Sequence, residues 1–240
     1  MSGRYALFRW NPSLAALPGF PADWRAHWNI SPANQVLMVR EDAGARRADL
    51  ARWGLTPAWL TDLSRTPSHA RAETLAEQPM FREAFRQRRC LLPANGFYEW
   101  RGVRKRPYWV STGERLLFFA GIWEAYPVQG QTWLSVAQVS QAAAEFRRPL
   151  LLDEAEQDAW LAPDTPLPAL ISLLAKPQPN LRSVALAGFV NKPETDGPEC
   201  LTPAWAPTSR SRSTPRRARP ASTCAPCSRK TPSSARARPC

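Results

Sequence analysis

No run of roughly 18 or more apolar residues occurs in the 240-residue chain, so no segment is long enough to cross a bilayer as a helix. The opening Met1-Ser2-Gly3-Arg4-Tyr5 also lacks the basic-then-apolar order of a secretory signal, and a cytoplasmic protein with no membrane partner is expected. Histidine is scarce, with His27 and His69 as the only two. The five cysteines, Cys90, Cys200, Cys224, Cys227 and Cys240, crowd late in the chain and read as reduced thiols, not as a disulfide framework. Cys224 and Cys227 form a single C-x-x-C with no second ligand pair, so no metal site is expected. No Gly-rich turn follows any strand-like run, which argues against a doubly wound nucleotide-binding fold, and no cofactor is expected.

What is present falls into two parts. The formal charge is +12, but nine basic residues and no acidic ones lie in 204–240, and subtracting them leaves +3 for the rest. That final stretch is Pro, Ser, Arg, Ala and Thr, which cannot bury enough surface to order itself. It is expected to be a disordered tail, either a nucleic-acid-binding arm acting through counterion release or a drifted GC-rich reading frame. Residues 1–203 carry ten of the 11 tryptophans, interleaved with aliphatic runs, and are expected to fold as one domain. Short aromatic and branched runs at 5–10, 35–40, 91–100, 108–111, 116–123, 132–139 and 183–187 read as strands. Helical spacing is clear at 79–88, with Met80, Phe81, Ala84 and Phe85 on one side, and at 152–161, with Asp153 as N-cap. Many strands, few helices and no regular β-α alternation predict an α+β fold with a mostly antiparallel sheet or barrel core and a few flanking helices.

Chemistry can begin at the amino terminus. Removal of Met1 would leave Ser2 with a free α-amine, whose pKa of about 7.7–8.0 keeps a fraction unprotonated and able to attack an aldehyde. Three segments follow, the first two rich in Trp and Pro: Trp28-Asn29-Ile30-Ser31-Pro32-Ala33-Asn34-Gln35, Arg52-Trp53-Gly54-Leu55-Thr56-Pro57-Ala58-Trp59 and Ser68-His69-Ala70-Arg71-Ala72-Glu73-Thr74. Then comes Arg88-Arg89-Cys90-Leu91-Leu92-Pro93-Ala94-Asn95-Gly96-Phe97-Tyr98-Glu99-Trp100. Aromatic rings on loops beside arginines are what a single-stranded DNA groove needs, since rings stack on bases and guanidinium groups hold phosphates. The alternative for each tryptophan is simple core packing.

In combination these segments, with Phe119-Ala120-Gly121-Ile122-Trp123-Glu124 and Phe189-Val190-Asn191, resemble the SOS-response-associated peptidase family over roughly residues 1–203. The resemblance implies a protein that binds single-stranded DNA at abasic sites, as a monomer. In the family the amino-terminal cysteine couples covalently to the exposed deoxyribose aldehyde: its amine forms an imine and its thiol closes a thiazolidine. By resemblance Arg4 and Arg71 are phosphate or sugar ligands, Pro32, Trp53 and Trp59 are walls of the groove, and Glu99 is the catalytic carboxylate, its pKa raised by desolvation. An alternative for Glu99 is a structural pair with Arg4 or Arg71.

The chain departs from the family pattern at three positions. Ser2 stands where the family has cysteine, and a hydroxyl closes only an easily hydrolysed oxazolidine. His69 replaces the asparagine of Asn-Ala-Arg, and Glu145 stands where His-x-Arg-Met-Pro begins, in Glu145-Phe146-Arg147-Arg148-Pro149. Attenuated, imine-only chemistry is expected, with a catalytically inactive copy as one alternative and a peptidase using Ser2 as nucleophile as another.

Overall fold

The computed structural model describes residues 3–143 and 146–205. Ser2, Glu145 and the arginine-rich stretch with Cys224 and Cys227 lie outside the described residues. Twelve strands and four α-helices are described, in the order β1 (Tyr5–Leu7), α1 (Pro12–Ala15), β2 (His27–Ile30), β3 (Gln35–Asp42), β4 (Ala45–Trp53), β5 (His69–Arg71), α2 (Arg82–Gln87), β6 (Arg89–Ala94), β7 (Gly96–Arg101), β8 (Arg106–Ser111), β9 (Leu117–Val128), β10 (Gln131–Ala142), β11 (Arg147–Pro149), α3 (Glu154–Leu161), α4 (Leu167–Leu174) and β12 (Arg182–Ala185).

Strand pairing closes a barrel. β10 pairs β4, β4 pairs β3, β3 pairs β6, β6 pairs β9, and β9 returns to β10, so five strands form a ring with no free edge between them. All of these pairs are antiparallel except β10 with β4. Beyond the point where β9 and β4 leave it, β10 continues with β5 on one side and β11 on the other. A second sheet has the order β12-β8-β7-β1-β2. The architecture is therefore α+β with a mostly antiparallel core, as the sequence pattern indicates.

The run at 91–100 is two strands, not one, and Asn95 is the reason. Its buried side chain accepts from the backbone N–H groups of Phe8 (2.8 Å) and Arg9 (3.0 Å) and donates to the Arg9 carbonyl (2.8 Å). The chain thereby leaves the barrel as β6 and enters the second sheet as β7. Gly96 follows because a Cβ there would stand 2.6 Å from the Val110 carbonyl.

The helices seal the barrel's flank. Asp153 and Glu156 form a reciprocal capping box that starts α3, and the buried Trp160 of α3 donates its indole N–H to the carbonyls of Cys90 (3.0 Å) and Gly121 (3.3 Å). Arg89 is 5% exposed with no carboxylate hydrogen-bonded to it among the described residues; it donates instead to the carbonyls of Phe85, Arg86, Trp160 and Ala162 at the ends of α2 and α3. The negative ends of two helices offset the cost of burying this cation. The helix expected over 79–88 spans only Arg82–Gln87, with Phe81, Ala84 and Phe85 buried. No described helix is long and apolar enough to cross a membrane.

Candidate functional site

Glu99 lies on β7 and is 3% exposed. Its Oε1 accepts from Nε of Arg148 at 2.6 Å, and its Oε2 accepts from Nε of Arg101 at 2.8 Å and from Nη2 of Arg148 at 3.4 Å. Burial is the largest single influence on this carboxyl and pushes its pKa up. The hydrogen bonds and charges of Arg148 and Arg101 together outweigh burial and hold it below the ordinary value. Two expectations are corrected here: the pKa of Glu99 is lowered, not raised, and its structural partners are Arg101 and Arg148, not Arg4 or Arg71. Arg148 comes from β11, so this ion pair ties the second sheet to the strands that extend from the barrel.

The alternation of side chains along β1 and β7 explains why Arg4 is not a partner. Tyr5 pairs Phe97, and the Tyr98 N–H donates to the Arg4 carbonyl at 3.0 Å. Residues paired across strands point to one face, so Tyr5, Phe97 and Glu99 share the side toward the barrel, while Arg4, Tyr98 and Trp100 occupy the other. Arg4 lies over the Trp100 ring (5.4 Å) and donates to Asn29 Oδ1 (3.3 Å) and to the Val190 carbonyl. On this outer face Asn29 also donates to the carbonyls of Lys192 (3.1 Å) and Thr195 (2.8 Å), fastening the closing segment to β2. Trp28, expected on a loop, lies on β2 and stacks on Phe8, with ring centroids 5.7 Å apart.

On the barrel side, Tyr5 meets Trp53 edge-on (5.3 Å) and Trp53 meets His69 (5.4 Å). A chain of rings thus leads from the face of Glu99 to His69, whose Nδ1 is 2.9 Å from the Ser68 hydroxyl. Trp53 is 1% exposed and gives its indole N–H to the Ser68 carbonyl (2.7 Å), so its ring packs in the core instead of forming a groove wall. Pro32 and Arg71 are exposed. The Arg71 side chain makes no hydrogen bond or ion pair with another described residue. Trp59 is 61% exposed and lines a hollow of about 360 Å³ with Met80, Arg88 and Trp123; neither Arg71 nor Glu99 lines it.

The sequence reading missed a second ion pair. Glu73, two residues past Arg71, accepts from Arg147 (2.6 Å) and from the Ala142 N–H (3.0 Å). The pairings Ser140 to Arg71 and Ala142 to Arg147 place β5 and β11 on either side of the same stretch of β10. The signal that could have found these pairs was the dense arginine run at 147–148, which pairs with the carboxylates of two motifs far away in the chain. With Arg71, Arg101, Arg147 and Arg148 against Glu73 and Glu99, this end of the molecule has cations in excess. It can hold anions, and its ionised Glu99 can accept a proton but is poorly placed to supply one at neutral pH. Among the described residues no group of His, Cys, Asp and Glu could hold a metal ion.

Comparison with known proteins adds four findings. Residues 1–193 match the family described as SOS response associated peptidase. The chain is 28% identical over 194 residues to the abasic site processing protein YoqW of Bacillus subtilis, covering 75% of this chain and 87% of that one. It is 29% identical over 198 residues to the abasic site processing protein YoaM of the same organism, covering 76% and 87%. A crystal structure of a protein from Bacteroides thetaiotaomicron superimposes with a TM-score of 0.74 over 84% of this chain and 99% of that one, at 20% identity, a likeness of fold.

Proposed function

The chain belongs to the SOS response associated peptidase family, and from that premise we propose that it processes abasic sites in single-stranded DNA through the α-amine of Ser2. The observation that carries this reading is the pairing of β1 with β7, Tyr5 to Phe97 with the Tyr98 N–H on the Arg4 carbonyl, which runs the opening segment along the strand that carries Glu99. Hydrolysis of the Met1–Ser2 bond would free the amine. Its nitrogen adds to C1′ of the ring-opened sugar, and loss of water leaves an imine. Glu99, ionised, accepts a proton or stabilises the cationic imine, while Arg71 holds a flanking phosphate and Pro32 and Trp59 border the strand. Arg4, committed to the outer face, anchors the opening segment.

The Ser2 hydroxyl can close the imine only to an oxazolidine, which reopens more readily than a thiazolidine would. Both oxygens of Glu99 are also occupied by arginine, which favours slow chemistry and gives weight to a second reading, a DNA-binding copy with no covalent step. A single-stranded oligonucleotide carrying one abasic site, incubated with the protein with and without borohydride, separates the two. An adduct that appears only with borohydride is expected, since hydride reduces the imine to a stable secondary amine. No adduct under either condition would leave the binding-only reading, and an equally abundant adduct without reductant would show that the hydroxyl closes a durable ring.

A further inference from the structure

Of the two arginines that hold Glu99, only Arg101 has a further partner among the described residues. Arg101 donates Nη1 to Ser183 Oγ (2.7 Å) and lies over the rings of Tyr108 and Phe146 at 4.5 and 5.9 Å. Every hydrogen bond that the Arg148 side chain makes to a described residue ends on Glu99. The Arg148 side chain is 22% exposed and that of Glu99 only 2%, so this guanidinium sits between the buried carboxylate and solvent. A guanidinium carries five N–H donors, and two of those on Arg148 are engaged. Nearby, Arg71 and Arg147 flank the same stretch of β10, and neither of them touches Glu99.

We infer that Arg148 is a phosphate ligand held in reserve on Glu99, and that a DNA phosphate and the Glu99 carboxylate compete for it. The inference rests on the DNA-binding reading above. Exchanging one oxyanion for another keeps the charge-assisted hydrogen bonds of the guanidinium, so the swap costs little on the arginine side. On the Glu99 side it releases Oε1. The groups then facing the carboxyl are Arg101 on its own strand and Tyr108 opposite it on β8. With one arginine gone, burial gains weight and the carboxyl rises toward a value at which it can exchange protons near neutrality. Arrival of the DNA strand would itself prepare the acid–base group, and an unliganded protein would keep it neutralised. Arg148 acts through Glu99 and is a positioning residue in this scheme.

The test follows the Glu99 carboxyl by carbon-13 NMR in the full chain, the signal being assigned by its loss in Glu99→Gln. It is titrated against pH with and without an undamaged oligodeoxythymidine, in the wild type, Arg148→Met and Arg148→Lys. The oligonucleotide is expected to raise the wild-type midpoint by about one pH unit or more. In Arg148→Met the midpoint is already high without DNA and moves little on adding it, and the log–log salt slope of oligonucleotide binding is shallower by about 0.7, the loss of one phosphate contact. Arg148→Lys keeps the salt slope and, if the Met variant fails to fold, decides the matter with the wild type through the DNA-induced shift. A wild-type midpoint unmoved by saturating oligonucleotide, or an unchanged salt slope in Arg148→Met, overturns the inference. Undamaged DNA carries no aldehyde, so the two ideas fail separately. Borohydride trapping with an unmoved midpoint removes the reserve ligand and keeps the covalent reading, and a moved midpoint without trapping does the reverse.

Discussion

The closed barrel and the Glu99 end of the neighbouring sheet are stabilised by opposite means. Barrel strands bury Val36, Met38, Leu91, Phe119, Ile122 and Val136 almost completely, and the ring leaves no edge between its strands to satisfy. At the other region a carboxylate is buried on β7 and held by arginines from β7 and β11. Apolar packing gains with every methylene removed from water, whereas a buried ion pair must first repay the desolvation of both charges. The barrel is thus where the stability lies. The charged end contributes less to it and persists because its partners are in place.

The largest expected effect tests that contrast at its seam. Phe119, fully buried on β9, meets Tyr5 of β1 and Phe97 of β7 edge-on at 5.6 and 6.0 Å, joining barrel to sheet. Phe119→Ala is expected to cost about 3–5 kcal/mol in urea unfolding, since the transfer loss and the cavity add. A cost below about 1 kcal/mol would mean that the seam relaxes freely and that packing is not what unites the two regions.

The same contrast decides what could be read from the sequence. Aromatic and branched content marked β3, β8, β9 and β10 to within a few residues, because each carries a run of buried side chains and such a run is a local property of the sequence. The Asp153 N-cap was equally local. The break at Asn95 was not legible, because it depends on backbone groups of Phe8 and Arg9 nearly ninety positions away in the chain. β2, β4 and β5 went unread, since β2, β5 and the last two residues of β4 lie in segments whose aromatics and arginines were read as loops. At the site, motif order picked out Glu99 and Arg71. Of the partners of Glu99, Arg101 stands two residues along the same strand, while Arg148 reaches it from β11, and which distant carboxylate the arginines at 147–148 meet is not marked by spacing. For Trp53, burial settles a choice between groove and core that the sequence left open.

Acid titration gives a middle-sized effect from the charged end. The pKa of Glu99 in the folded protein lies below its ordinary value, so the stability it contributes is fully present above the unfolded value of about 4.3 and is lost as pH falls through the folded one. Glu99→Gln keeps the shape and removes the charge. It is expected to cost about 2 kcal/mol at neutral pH, less than a fully buried pair because both arginines are partly wet. The gap between wild type and variant should stay flat above about pH 6 and close as the carboxyl protonates below about 4.3. A gap that widens on acidification would mean that the carboxyl is protonated more readily in the folded state, against the arginine pairing.

The smallest effect on stability falls on the arginine that the fold does not use. Arg71 is exposed at the end of β5 and its side chain makes no hydrogen bond or ion pair with a described residue, so Arg71→Ala should change unfolding free energy by no more than about 0.5 kcal/mol. Arg4→Ala, on the opposite face of the second sheet, should cost about 1–2 kcal/mol, because the Asn29 oxygen and the Val190 carbonyl lose a charged donor. If Arg71 is kept for a ligand, its removal should show up in DNA binding instead, with the salt slope on an undamaged oligonucleotide falling by about 0.7. An Arg71 variant that unfolds as readily as the Arg4 variant, with an unchanged salt slope, would make this residue part of the scaffold. The arginine excess at this end would then be a matter of folding and not of DNA.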